Sequence, residues 1–408
     1  MKCRHCNSSL EHIFADLGTS PPSNSYLRED QLNKPELFYP LRVKVCESCW
    51  LVQAEDFTNR EEFFSNDYAY FSSFSTTWLV HAKEYVEKMA ERFALGKESF
   101  VVEVASNDGY LLQYVKHLSI PCLGIEPTKS TADAATIKGI PTLQDFFGVK
   151  LAESLARENK KADLTAANNV LAHVPDINDF ISGFSILLKD NGVSTFEFPH
   201  LLQLAAHTQF DTIYHEHYSY LSLIAVQKIF LINGLEVFDV EEIPTHGGSL
   251  RVFAQKANVG KHSVSDRVKS LLNEEKKIGI DTLSFYNGFQ KKINGAKNQM
   301  LEFLIQANRN NSVVIGYGAA AKGNTFINYA GIRSDLVSFV VDKNPHKQGK
   351  FLPGSRIPIY SEQMIKDKKP NFVVIFPWNL KAEISNQLAY IREWGGKFVV
   401  AIPELEVF

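Results

Sequence analysis

The sequence has no apolar run long enough to cross a bilayer, so no membrane partner is expected. The start, Met1-Lys2-Cys3-Arg4-His5, lacks the apolar core of a signal peptide, and a cytoplasmic protein is the expectation. There is no basic tract and the formal net charge is −3, which speaks against a nucleic-acid binder. Cysteine is scarce, with five in 408 residues, too few for a disulfide scaffold. Four of them nevertheless crowd into two pairs, Cys3/Cys6 and Cys46/Cys49.

Each pair is a C-x-x-C knuckle that can put two thiolates on one ion. Two knuckles make a four-sulfur site, the closed geometry of structural zinc. No βαβ pattern surrounds either pair, so a redox role is disfavoured. The spacer, residues 7–45, carries Pro21-Pro22-Ser23-Asn24 and Pro35 and reads as loop-rich. His5 reads as a bystander.

A chain of 408 residues exceeds one ordinary core, so two or three domains are expected. Residues 100–200 alternate strand and helix patterns, the mark of an open α/β sheet. Strand Phe100–Ala105 leads into the turn Ser106-Asn107-Asp108-Gly109, and a second strand ends on Glu126. Ligands of such sheets lie beyond the carboxyl ends of the strands. Glu103, Ala105, Ser106, Asn107, Gly109, Glu126, Asp145 and Asn168-Asn169 fall there. A terminal acid can accept two ribose hydroxyls. The turn is not G-x-G-x-x-G, so a ribose-bearing ligand without a pyrophosphate is favoured.

A second α/β unit follows amphipathic helices over 262–309. Its turn, Gly316 to Ala321, satisfies G-x-G-x-x-A, and Asp342 ends a strand predicted over 337–342. Spacing alone suggests a nicotinamide dinucleotide. Lys322, Asn324 and the helix start are equally able to hold the phosphates of another nucleotide. Arg251, after His246-Gly247-Gly248, is placed to meet a phosphate or sugar, or to sit in a plain hairpin.

The densest polar cluster is Thr212-Ile213-Tyr214-His215-Glu216-His217-Tyr218-Ser219-Tyr220. Polar groups beside apolar sequence need partners or a purpose. His215 and His217 would share a face on a strand, but H-E-x-x-H spacing is absent, which argues against a second metal. Upstream, Asp67-Tyr68-Ala69-Tyr70 mixes aromatics and hydroxyls as a lid or a packed linker.

Taken in order, the knuckles, Asp67–Ser73, Glu103–Gly109, Ile125-Glu126-Pro127, His173-Val174-Pro175-Asp176, Tyr214–His217, His246–Ser249 and Gly316–Thr325 resemble the nucleotide-sugar C-methyltransferases of deoxysugar biosynthesis. The resemblance implies an α/β protein of three parts. These are a zinc-binding module (1–70), a Rossmann-type S-adenosylmethionine methyltransferase domain (71–260) and a second Rossmann-like, nucleotide-sugar-binding domain (261–408). It implies Glu126 at the donor ribose, Asp145-Phe146 by the adenine and Asn168-Asn169 at the methionine end. It implies a nucleotide-diphosphate 4-keto-6-deoxy sugar as partner, methylated at C-3, and a monomer is expected. Tyr70, His246, Arg251, Lys322 and Asn324 are the substrate-binding candidates. Carbon methylation next to a ketone needs a base and donors for an enolate oxygen. His217 is the expected base; Glu216 is expected to hold an imidazole or a sugar hydroxyl, and Tyr214, Tyr68 and His173 to position the keto sugar or stabilise the enolate oxygen. The rival readings are an NAD-dependent sugar dehydrogenase, a zinc-ribbon interaction protein and an RNA or protein methyltransferase.

Overall fold

The protein is described here from a computed structural model, for residues 1–57 and 71–408. Tyr68 and Tyr70 therefore lie outside the described residues. Strands β1 (His12–Ser20), β2 (Tyr39–Val45) and β3 (Val52–Ala54) form an antiparallel meander. In β2, buried Leu41, Val43 and Val45 alternate with Arg42 and Lys44, the period of a half-buried strand. The spacer between the knuckles is thus not merely loop: its apolar residues at period two make two of these strands.

The central sheet starts with five parallel strands: β4 (Val101–Val104), β5 (Cys122–Ile125), β6 (Thr142–Leu143), β7 (Ala162–Asn168) and β8 (Leu188–Pro199). All four residues of β4 are buried, as expected of a strand covered on both faces. The short β9 (Ser219–Tyr220) leaves this unit and pairs with β3, completing the first sheet. Strands β10 (Leu235–Ile243) and β11 (Ser249–Lys256) form an antiparallel hairpin that docks on β8. The order is β10-β11-β8-β7-β4-β5-β6, which reverses direction between β4 and β7. That switch point opens a crevice at the strand ends.

The last sheet has β12 (Val314–Tyr317), β13 (Val340–Val341), β14 (Ile359–Tyr360), β15 (Phe372–Ile375), β16 (Lys397–Val400) and β17 (Glu406–Val407). Its order is β14-β13-β12-β15-β16-β17, parallel except for β17. The strand predicted over 337–342 is cut to two residues, although Val337 and Phe339 are buried beside it. No helix among the described residues is long and apolar enough to cross a membrane.

Helices Asp266–Ile278 and Phe289–Arg309 tie the parts together. The first begins on the capping hydroxyl of Ser265 and ends on left-handed Gly279. Phe289 of the second stacks on Phe14 of β1 at 4.4 Å, so the first and last sheets share one core. Glu275 is wholly buried and accepts from the backbone N–H groups of Leu223 (2.7 Å) and Ile224 (2.8 Å). It also pairs with His200 at 2.7 Å. These N–H groups open the helix Leu223–Ile232, where a carboxylate also meets the favourable end of the helix dipole. Glu275→Ala leaves three buried donors bare, and we expect it to cost about 3–5 kcal/mol in urea unfolding.

Candidate functional site

A cavity of about 420 Å³ lies at the switch point of the central sheet and receives walls from all three sheets. On the strand side it is lined by Ala105 and Asn107 after β4, Glu126 after β5, Asp145-Phe146 after β6 and Asn168-Asn169 at the end of β7. Glu126 accepts at both carboxylate oxygens, from the N–H of Asn107 and of Thr128, each at 2.9 Å. Burial pushes its pKa up, and these two donors partly offset that. Asn168 is nine-tenths buried, and neither polar atom of its side chain has a partner among the described residues; Asn169 Oδ1 is likewise bare. Bare polar atoms on residues that line a cavity call for a polar partner.

The turn after β4 uses left-handed backbone at Ala105 (φ 57°) and Asn107 (φ 49°), and at Gly109 (φ 75°). Only at Gly109 is glycine required by space as well, since a Cβ there would stand 2.3 Å from Ile140 Cδ1. Gly109 and Ser106 support the turn from below and do not line the cavity. Glu103 lies beneath it too, fully buried, its pKa raised well above the usual carboxylate range by burial, with the Tyr110 hydroxyl offsetting part. Of the expected donor residues, then, seven line the cavity and Glu103, Ser106 and Gly109 lie behind it.

Facing the strand ends are Tyr214, Glu216, His217 and His173. The segment 213–218 is not a strand but a turn entering β9, so His215 and His217 point apart. His215 turns toward the first sheet, its Nε2 at 3.2 Å from the Pro40 carbonyl oxygen. Among the described residues, the four cysteines of the knuckles are the one group that could hold a metal. His217 Nδ1 donates to the Thr212 carbonyl at 2.8 Å, because a carbonyl can only accept. In the neutral ring this leaves Nε2 as the basic nitrogen. The His217 ring packs at 3.9 Å from the Tyr214 ring and at 4.6 Å, edge to face, from His173.

Burial is the first cause that depresses the His217 pKa well below 6.5; His173, Lys322 and His246 add repulsion, and the Thr212 carbonyl opposes. Burial also brings His173 down to about 4. A lowered histidine pKa keeps the neutral base populated below pH 6.5, and it is lost only as pH falls through the depressed value. We expect the acid limb of kcat/KM, which reports the free enzyme, to fall below pH 6.5 in a pH–rate profile.

The third wall comes from the last sheet: Ala320-Ala321-Lys322, Pro377, Asn379 and Leu380, with His246 beside it. Lys322 Nζ lies 4.4 Å over the Trp378 ring and donates to Asn379 Oδ1 at 3.1 Å. Burial lowers its pKa, against the attraction of Asp211. His246 and Asn169 meet at 3.1 Å. Arg251 and Asn324, expected with them, are elsewhere. Arg251 is buried in an ion pair with Glu197 and reaches Glu241 at 3.0 Å. Asn324 is 1% exposed and donates to the Ser23 carbonyl at 2.6 Å. In the glycine-rich turn a Cβ at Gly318 would lie 2.6 Å from Pro377, and Gly323, in the helix that follows, packs so closely on Phe376 that a Cβ would stand at 2.9 Å. Asp342 accepts from the N–H groups of Ala319 and Asn344, each at 2.8 Å.

Several lining residues carried no signal. Trp78 lines the cavity from the helix Thr76–Arg92, where an apolar residue at helical spacing carries no sign of a site. Asn24, in a proline-rich stretch, donates to Glu216 Oε1 at 2.7 Å from 192 positions away.

The cysteine sulfurs of residues 3, 6, 46 and 49 all lie within 4.8 Å of one another. Cys3 and Cys49, and Cys6 and Cys46, are each 3.5 Å apart. Tetrahedral zinc with Zn–S near 2.3 Å needs sulfurs about 3.8 Å apart, so the set fits. Packed this closely, the thiols compete for protons: Cys3 is pushed down to about 4 and Cys49 up. His5 is no ligand; its Nδ1 pairs with Asn178 Oδ1 at 2.8 Å. Beside it, Arg4 donates to the Pro175 carbonyl at 3.0 Å, next to His173.

Comparison with known proteins gives a match in each part of the chain. Residues 3–64 match a zinc binding domain family, 79–240 a methyltransferase domain and 244–403 the C-methyltransferase C-terminal domain. The C-methyltransferase NovU of Streptomyces niveus is 32% identical over 406 residues, covering 100% of this chain and 96% of that one. A ubiquinone biosynthesis O-methyltransferase of Bartonella tribocorum is 27% identical over 94 residues, covering 23% of this chain and 38% of that one. Among solved structures, a magnesium protoporphyrin IX methyltransferase from Synechocystis PCC 6803 with bound SAM is 14% identical. It covers 50% of this chain and 100% of that chain, with a TM-score of 0.36.

Proposed function

The chain belongs to the family of the C-methyltransferase NovU, and from that premise we propose that it methylates C-3 of a nucleotide-linked 4-keto-6-deoxy sugar. It is an S-adenosylmethionine-dependent C-methyltransferase with a zinc-binding domain. The observation that carries the finer reading is His217: a neutral imidazole, held at Nδ1 and with its basic Nε2 remaining, lines the same cavity as the donor-side strand ends.

The residues fit the donor. Glu126 would hold its ribose, Asp145-Phe146 its adenine side and Asn168-Asn169 its methionine end. When bound, the donor supplies an electrophilic methyl group on sulfur. His217 Nε2 takes the proton from the ring carbon beside the ketone, leaving an enolate. Tyr214 and His173 stabilise or orient the oxygen where charge collects. Glu216 holds a sugar hydroxyl or an imidazole, and the cavity sets the carbon in line for transfer. Lys322 and His246 meet the nucleotide diphosphate. Arg251 and Asn324 are supporting residues in this scheme.

A nicotinamide-dependent dehydrogenase is disfavoured because the central and last parts of the chain match methyltransferase families. An inert zinc-ribbon adaptor would have no use for the bare Asn168 amide. The test is mass spectrometry of nucleotide-linked 4-keto-6-deoxy sugars, with and without an amino group, after incubation with S-adenosylmethionine. Gain of one methyl by a keto sugar is expected. Transfer to RNA or protein, or binding of NADH in place of the donor, would overturn the reading.

A further inference from the structure

The stretch Pro21–Leu27, between the two cysteine knuckles, does not lie on its own sheet but on the last one. Asn324 holds the Ser23 carbonyl at 2.6 Å. The Tyr26 hydroxyl donates to the Ala319 carbonyl at 2.6 Å. Leu27 and Phe351 exchange backbone hydrogen bonds of 3.0 and 2.8 Å. Pinned at these points, the loop turns Asn24 into the cavity, where its Nδ2 donates to Glu216 Oε1 at 2.7 Å. Glu216 itself is 3% exposed and sits in the turn between the His215 and His217 side chains.

A side chain supplied from a loop 192 positions distant, and anchored by a third unit, has a purpose beyond filling space. We propose that Asn24 is a positioning residue for the methyl transfer. Its amide fixes the rotamer of the Glu216 carboxylate against the sugar, so that the loop between the knuckles completes the active site. Asn324, Tyr26 and Phe351 act one step further back, by holding that loop. The assignment rests on the reading of Glu216 as a group that touches the sugar.

A double-mutant cycle tests it. The full chain, with zinc, is assayed by single turnover with radiolabelled S-adenosylmethionine and a keto sugar that the wild-type chain methylates. Asn24→Ala is expected to lower the rate about 10- to 100-fold, the scale of a misplaced group, with donor affinity unchanged. In the Glu216→Ala background, where the acceptor of the Asn24 amide is gone, the same change should cost less than about 2-fold. A loss of equal size in both backgrounds would assign Asn24 a merely structural role and overturn the proposal. So would an Asn24→Ala chain as fast as wild type. A wild-type chain that methylates none of the keto sugars overturns instead the reading on which the proposal rests. Melting curves of the variants separate misfolding from misplacement, and an Asn24→Ala chain that melts as wild type yet reacts slowly supports it.

Discussion

His217→Asn is expected to lower methyl transfer by about 10²–10⁴-fold, the usual contribution of a positioned base. Donor affinity should be unchanged, because the strand ends proposed to hold the donor lie across the cavity. Asparagine can keep a bond to the Thr212 carbonyl through its amide, but it has no nitrogen able to take a proton at neutral pH. The substitution therefore separates base from scaffold. Two measurements check it: the single-turnover rate, and exchange of the ring proton for solvent deuterium without transfer. Both should fall together. Near-normal exchange in His217→Asn would mean that another group removes the proton, with His173 the neighbour to examine at 4.6 Å between ring centroids. Burial pushes the pKa of His173 itself down to about 4.

Loss of zinc should have an effect as large, and a wider one. Structural zinc contributes about 10–16 kcal/mol of apparent binding free energy at neutral pH in small modules, and there binding is folding. Here Cys3, Cys46 and Cys49 sit in the core beside Leu10 and Leu51, with half-buried Cys6 packed against it, so removing the ion leaves thiols crowded together and largely desolvated. The damage would not stop at the module. Arg4 and His5, in the first knuckle, bind Pro175 and Asn178 in the central unit, two and five residues beyond His173. The loop between the knuckles carries Asn24 to Glu216. Chelation, or Cys46→Ser, is expected to abolish activity and to lower the melting temperature, with zinc content by elemental analysis as the check. A chelated chain that melts and turns over as before would refute a structural role for the metal.

How much of this could be read from the sequence depended on the range of each contact. The knuckles are local, two cysteines three apart, and spacing alone exposes them. The Tyr214–His217 cluster is also local, and its polar density beside apolar sequence marks it. Asp145, Glu126 and Asn168 follow from one rule about strand ends in open α/β sheets. Residues whose role depends on distant neighbours were not legible in the same way. Arg251 looked like a ligand for phosphate, yet register places it opposite Glu197 on β8 and Glu241 on β10, so its charge is spent across the strands. The G-x-G-x-x-A turn has the spacing of a dinucleotide site, but what packs against its Gly316 and Gly318, Phe376 and Pro377, follows β15 some 60 positions on. Asn324 and Asn24 could be valued only once the inter-knuckle loop was seen lying on the last sheet.

The central claim is that a carbon, and not an oxygen, receives the methyl group. A nucleotide-linked 4-keto-6-deoxy sugar carrying deuterium at C-3 decides it. After incubation with S-adenosylmethionine, mass spectrometry should show one methyl gained and that deuterium lost in the same product. A methylated product that retains the deuterium would place the methyl on oxygen or at another carbon, and would contradict the account.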